Sequence, residues 1–322
     1  MPEPPPPHRT LEIPDWAAGM RVDKYLARRF PNRSRTWIAR GIRAGQVRDT
    51  AGVTLRAGSR LKERQTLLLF LPGIAPTEGP PPLPAILHCD DRVIVLDKPA
   101  GLLAHPSGYD FAWAVIGLAK DRWPDDRVDL VHRLDRDTSG AIVLTRDLDA
   151  NRFLKEALKA GDCDKEYQAL CRGEIPWTDR ILDGPIGPDG GVIRIKMAVK
   201  DSGQSARTDV EVLRTQPAMS HVRCRIHTGR THQIRVHLDR AGFSLLGDRM
   251  YGLPPEVFLH TLEHGPDSWV RQQAGAPRQA LHAARIRVPH PDGGTLDVAS
   301  PMPADMTRWW DDPAVLPHDG MS

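Results

Sequence analysis

Six of the thirteen residues from Pro72 to Pro84 are proline and two more are glycine (PGIAPTEGPPPLP). Proline has no backbone N–H and clashes with the preceding helical turn, so such a run enters neither a helix interior nor a central strand. It also lacks any apolar period that a core could bury. Residues 73–84 therefore read as a semi-rigid linker, and the chain must fold as two domains, 11–72 and 85–308. The second is long enough for a sizeable core. At 40% apolar and 26% charged residues the composition is that of a globular protein. No apolar run approaches the ~18 residues of a membrane span. Met1-Pro2-Glu3-Pro4 lacks the apolar stretch of a signal peptide, so a cytoplasmic protein without membrane contact is expected. Cys89, Cys163, Cys171 and Cys224 are scattered with no CxxC pair, and read as reduced thiols rather than zinc ligands.

The two domains differ in charge. Residues 1–72 hold 14 Lys+Arg against 6 Asp+Glu, while the rest of the chain holds 30 against 35. A basic module on a mildly acidic body points to a polyanionic partner. Residues 1–10 contain five prolines and are expected to be a disordered tail. Val22, Tyr25, Leu26 and Phe30 fall on one helical face with basic residues opposite. After a Pro31-Asn32 break, Ser34 is a good N-cap for a second helix from Arg35 to Ala44. Short strands follow near Val47, Thr54 and Thr66–Phe70. Arg33, Arg35, Arg40, Arg43 and Arg48 cluster in this small α/β domain.

The larger domain opens with strands at 86–89 and 93–97, then Lys98-Pro99-Ala100-Gly101, then a helix near Trp113 to Ala119. Its most distinctive stretch is Val131-His132-Arg133-Leu134-Asp135-Arg136-Asp137-Thr138-Ser139-Gly140 before the apolar run Ala141-Ile142-Val143-Leu144. Thr138-Ser139-Gly140 reads as a tight turn between strand ends, with Gly140 able to take a positive φ. A carboxylate at such a junction is aimed outward from a rigid sheet, as an active site requires. Arg133, two residues before Asp135, is expected on the same strand face. A helix from Asp149 to Ala160 should turn Phe153, Leu154 and Leu158 inward, and Lys165 to Cys171 alternates as a half-buried strand. A basic strand Ile193–Lys196, strands at 208–213 and 222–226, and a helix within Thr228–Leu238 come next. Strands at 281–288 and 296–299 close the sheet, and residues 309–322 are expected to be a tail. The fold class is α+β, with a mixed, largely antiparallel sheet flanked by helices.

Three segments in order, the KPAG loop, HRLDRDTSG, and GRTHQIRVHL with GDRMYG after it, resemble the signature of the RluA-type pseudouridine synthases across residues 90 to 300. The basic N-terminal domain resembles the α-L RNA-binding domain, although Arg48-Asp49-Thr50-Ala51-Gly52 stands where that family usually has Val-Asn-Gly. The resemblance implies isomerisation of uridine to pseudouridine in structured RNA, without metal or cofactor. Family members with this N-terminal domain commonly modify large-subunit ribosomal RNA; transfer RNA is the nearest alternative. A single chain acting as a monomer is expected. The resemblance makes Asp135 the catalytic carboxylate, either a nucleophile at C1′ or the group that takes the C2′ proton. It makes Arg235 its partner, whose planar fork suits a bidentate contact. Arg133 would fill the gap left by the flipped nucleotide. Tyr167 would stack on the uracil and is a candidate base for the C5 proton, while Arg33, Arg35, Arg40, Arg43 and Arg48 would meet RNA phosphates.

Other readings fare worse. Asp135 and Asp137 sit too close in the chain to flank one glycosidic bond from opposite sides, as hydrolysis requires. His232 and His237 do not share a helix face, and there is no Walker loop or dinucleotide fingerprint. A catalytically lapsed RNA-binding assembly factor is the rival from another class. It has no need of Asp135, Tyr167 and Arg235 together.

Overall fold

The computed structural model describes residues 7, 9–30, 35–71, 81–105 and 114–316. They group into two compact units, one formed by residues up to 81 and one by most of the residues from 82 on. Most of the Pro-rich linker, most of the N-terminal tail, and Arg33 lie outside the described residues, as does Trp113.

In the first unit, β1 (Arg9–Glu12), α1 (Val22–Arg29), α2 (Arg35–Arg43), β2 (Val47–Asp49) and β3 (Thr66–Leu69) form an antiparallel sheet of order β1-β3-β2 beside two helices. The apolar face read from the sequence is the buried one: Val22, Tyr25 and Leu26 of α1 meet Ile38 and Ile42 of α2 and Leu67 and Leu69 of β3. Arg40, Arg43 and Arg48 are exposed. The Arg48 guanidinium lies 5.0 Å from the Phe70 ring centroid and its Nε donates to Gly45 O at 3.0 Å.

From residue 82 the elements are β4 (Ala85–Cys89), β5 (Val93–Lys98), α3 (Val115–Arg122), β6 (Asp129–Leu130), β7 (Ser139–Thr145), α4 (Leu148–Ala160) and β8 (Asp164–Arg172). There follow β9 (Asp179–Asp183), β10 (Ile186–Pro188), β11 (Met197–Val199), β12 (Arg207–Gln216), β13 (Met219–Ile226) and α5 (Gln233–Arg240). Last come α6 (Pro255–His264), α7 (Ser268–Ala274), β14 (Leu281–Pro289), β15 (Thr295–Ala299) and α8 (Ala304–Asp311). One ten-stranded sheet runs β4-β5-β7-β14-β8-β13-β12-β9, with β15 beside β14 and β6 beside β7. Among the described residues only its β7–β14 pair is parallel, so the sheet is mixed and largely antiparallel.

The continuous apolar runs of β5 and β7 follow from their central place, because both sheet faces are covered. Ile94, Leu96, Ile142 and Leu144 point to the side where α3 packs with Val115, Ile116 and Ala119. Val93, Val95 and Val143 point to the other side, against Leu154 and Ala157 of α4. Helix α4 is bounded as its sequence requires: the Asp147 side chain caps Ala150 N at 2.8 Å and Gly161 ends the helix in the left-handed conformation.

Four expectations change. The turn before β7 is at Arg136-Asp137, and Gly140 lies inside the strand. Its positive φ of 109° serves close approach instead, since a Cβ there would sit 2.3 Å from Ala283 O across the β7–β14 pair. Phe153 is exposed, because α4 turns Leu154 to the sheet instead. Ile193–Lys196 is a turn rather than a strand; Ile195 is exposed and pairing begins at Met197. The expected tail boundary at 309 falls inside α8, whose Trp309 and Trp310 are buried with Leu170, Met219 and Leu246.

Candidate active site

The loop between β6 and β7 carries Asp135. His132 Nε2 accepts from Val143 N at 3.2 Å, Thr138 Oγ1 accepts from Gln279 Nε2 at 2.8 Å, and Ser139 Oγ lies 3.0 Å from His282 Nδ1. These contacts tie the loop to β7 and β14, a rigid base for a reacting group. A second tie comes from Lys98, a fully buried residue at the end of β5. Its Nζ donates to Pro99 O, Leu102 O and Arg136 O at 2.9, 2.8 and 2.9 Å. Burial pushes this ammonium down to about 7, and three carbonyl acceptors match the three donors of its charged form. The KPAG segment is thus fastened to the Asp135 loop through one side chain.

Tyr167 arrives from β8, where it pairs with Cys224 of β13 and Ala283 of β14. Arg235 arrives from the first turn of α5. Asp135, Tyr167, Arg235 and His232 line one cavity of about 80 Å³, with Arg133 at its edge. Three of the residues expected to act together are therefore brought together from a loop, a strand and a helix widely separated in sequence. Arg133 is exposed and sits in irregular chain, not on a strand face, because pairing stops at Leu130. Arg40, Arg43 and Arg48 belong to the first unit and are not part of this cavity. Arg35 falls at the start of α2, and of Arg33 nothing is described.

The electrostatics separate the roles. Burial alone would push the Asp135 carboxyl up; the charge of Arg235, whose Nη1 donates to Oδ2 at 2.8 Å, brings it below the usual carboxylate range. Asp135 is thus ionised at neutral pH. Burial opposes the charge of Arg235 as well, and Asp248 more than restores it. The fork of Arg235 is not spent on Asp135: Nε and Nη2 donate to the two oxygens of Asp248 at 2.6 and 2.9 Å. The expected bidentate contact has a different carboxylate, and Asp135 receives the one remaining arm. Asp248 is fully buried and also accepts from Met250 N and Tyr251 N at 2.9 and 3.1 Å. It is aimed by Gly247, whose φ of 75° and close approach to Arg278 O exclude a side chain.

For Tyr167, burial and then the charge of Asp135 hold the phenol above its usual value. It is protonated at neutral pH, which counts against the expected base and leaves the ring as what it offers. Sequence reasoning weighed His232 only as a metal ligand and did not single out Tyr251. His232 adopts a left-handed backbone at the start of α5 (φ 59°), and its Nδ1 lies 2.9 Å from the Tyr251 hydroxyl. The Tyr251 ring packs 4.9 Å from the Arg235 guanidinium. The signal for both was present as the uninterpreted letters of GRTHQIRVHL and GDRMYG. No group of three or more metal-binding side chains occurs among the described residues.

Comparison with known proteins gives the same direction. Residues 92–240 match a family model described as RNA pseudouridylate synthase. A Xanthomonas campestris protein named ribosomal large subunit pseudouridine synthase D is 35% identical over 93% of this chain and 91% of its own length. Its namesake in Pseudomonas aeruginosa is 35% identical over 92% of this chain and 93% of its own length. Among solved structures, human RNA pseudouridylate synthase domain containing 4 is 25% identical with a TM-score of 0.54, covering 69% of this chain and 90% of that one.

Proposed function

This chain belongs to the RNA pseudouridylate synthase family, and from that membership we propose that it isomerises uridine to pseudouridine in large-subunit ribosomal RNA, with Asp135, Arg235 and Tyr167 at the reacting centre. The enzyme class, a pseudouridine synthase and hence an isomerase, follows from the family. The ribosomal substrate rests on the names of relatives that align over nearly the whole chain. Such a substrate would place the protein with ribosomes in the cytoplasm, and no helix among the described residues is long and apolar enough to cross a membrane.

The observation that carries the site is an ionised, half-buried carboxylate facing a small cavity, its charge held by one arm of a buried arginine. The reaction breaks C1′–N1, forms C1′–C5, releases the C5 proton and returns a proton to N1, with no net gain or loss of electrons. A single chain, its side chains and the RNA suffice on paper. Asp135 would act at C1′ or on the C2′ proton; both routes need the anion that Arg235 maintains. The cavity of about 80 Å³ is too small for a stretch of duplex, so the uridine would enter flipped out. Arg133 at the rim would then meet the emptied position, and Tyr167 would stack on the base. The first unit we read as an RNA-binding α-L domain, with exposed Arg40, Arg43 and Arg48 toward phosphates.

The test is release of tritium from large-subunit ribosomal RNA labelled at uridine C5. Release by the wild type and none by Asp135→Asn is the expected result. Release from transfer RNA alone would reassign the substrate.

A further inference from the structure

His232 is one of two non-glycine residues with positive φ among those described, and it stands at the edge of the cavity. That backbone turns its ring so that the two nitrogens face different partners. Nδ1 is 2.9 Å from the Tyr251 hydroxyl, and Nε2 is 4.0 Å from Asp135 Oδ2. Tyr251 is fixed in turn: its oxygen accepts from Met197 N at 2.9 Å and lies 3.2 Å from Met197 O. The phenol has one proton to give. Nδ1 is its nearer acceptor, and the opposite arrangement would set a bare Nε2 lone pair against the Asp135 carboxylate. Burial and the Arg235 charge push the imidazole down to about 4, so at neutral pH it is uncharged. The geometry therefore assigns the proton to Nε2, on the cavity side.

A donor and an acceptor 4.0 Å apart are too far to bond each other, yet one oxygen can reach both. Such an oxygen must accept one hydrogen bond and donate another, as a hydroxyl does. We propose that His232 Nε2–H and Asp135 Oδ2 together hold the ribose 2′-hydroxyl of the target uridine, making His232 a specificity residue that distinguishes RNA from DNA. Within a chain the 3′ and 5′ oxygens are esterified, leaving the 2′-hydroxyl as the free one. It is carried on C2′, bonded to the C1′ that Asp135 must approach, so a carboxylate that serves either route lies beside it. A nucleotide without this hydroxyl leaves both His232 and Asp135 short of a partner, a loss larger than that of one exposed hydrogen bond. The inference rests on the reading of Asp135 given above.

The experiment first locates the modified uridine in ribosomal RNA, then uses synthetic RNA of that sequence with uridine or 2′-deoxyuridine at the one position. Dissociation constants are measured for wild type, His232→Asn and Tyr251→Phe, with melting curves for each. Asparagine tolerates the left-handed backbone but is too short to reach the hydroxyl. Wild type should prefer uridine about tenfold, His232→Asn only about twofold, and Tyr251→Phe, which frees the ring tautomer, should fall between. A wild-type preference below about twofold overturns the inference even if both variants misfold. So does a preference unchanged in a well-folded His232→Asn. A wild type that isomerises no uridine refutes the activity itself; one that isomerises uridine yet binds both RNAs equally refutes the role of His232 alone.

Discussion

Arg235 is shared unequally between two carboxylates: Asp248 takes Nε and Nη2, and Asp135 takes Nη1 alone. The unequal division leaves the Arg235 guanidinium plane set by a fully buried residue, while the reacting carboxylate takes a single arm of the fork. Removing Asp248 leaves Arg235 Nε and Nη2 buried without their acceptor and only the Nη1 contact to Asp135, a loss below the ~3–5 kcal/mol of a fully broken buried pair. Asp248→Ala should therefore lower the melting temperature and kcat together, although the side chain of residue 248 is closed to solvent. Wild-type stability and turnover in this variant would show that the fork needs no anchor.

Asp135→Asn removes a charge and keeps the side-chain shape. Arg235 still has Asp248, so no buried cation is stranded and the fold should persist. RNA binding should change little, and tritium release should fall below detection. Circular dichroism and filter binding beside the activity assay separate loss of chemistry from loss of fold.

The ion pair also predicts a pH dependence. Asp135 is depressed by Arg235, so its ionised form is secured at neutral pH, and its contribution is lost only as pH falls through the depressed value. Arg235→Leu alone is a poor probe, because it would leave Asp248 buried without its cation. Arg235→Leu combined with Asp248→Leu removes the pair as a unit and leaves Asp135 with the upward push of burial. The acid limb of the pH–rate profile should then move to higher pH, with activity at neutrality reduced and partly recovered as pH rises. A limb unmoved from wild type would take the pair out of the mechanism.

Much of this arrangement was readable from residue types and their order. The apolar runs Val93–Leu96 and Ala141–Leu144 announced strands, and the pattern from Asp149 to Ala160 announced α4, although its caps Asp147 and Gly161 were not picked out. Asp135, Tyr167 and Arg235 were named because their flanking letters resemble one family. The errors share a cause, since each concerns a partner that only tertiary structure supplies. Gly140 looked like a turn residue because positive φ is local information, whereas the Ala283 backbone it admits is 143 residues away. Asp248 read as a loop aspartate because nothing in GDRMYG states that it is buried under Arg235. Trp309 and Trp310 looked like a fading tail for want of any local sign that Leu170 and Met219 wait to cover them.

Lys98 offers a test of how the Asp135 loop is held. Its ammonium satisfies three carbonyls in a site closed to water, one of them on Arg136 next to Asp135. Lys98→Met fills the volume but takes the Lys98 bond from Pro99 O and Leu102 O, while Arg136 O keeps Gly101 N, a destabilisation of about 2–4 kcal/mol. Hydrogen exchange at the amides of Gly101, which donates to Arg136 O, and of Thr138 should accelerate in the variant. Unchanged protection would mean that the backbone contacts alone hold the loop.

The first unit carries the last expectation. Arg40 and Arg43 sit on α2 with exposed side chains and Arg48 on β2, all within a unit that has its own apolar core. If they meet RNA phosphates, each contact releases counterions, and its removal should reduce the slope of log affinity against log salt by ~0.7–0.9. Arg40→Gln with Arg43→Gln in the full chain should thus flatten that slope by ~1.4–1.8 and raise KM, with kcat reduced far less than kcat/KM. Because both side chains are exposed, the melting temperature should stay within about a degree or two of wild type. Arg48 is a weaker choice for such a test, since its guanidinium packs on Phe70 and its loss would remove that contact as well. The rival account makes these arginines a solvated surface with no partner. It requires the salt slope of the double variant to equal that of wild type, so KM at three salt concentrations for the two proteins decides between them.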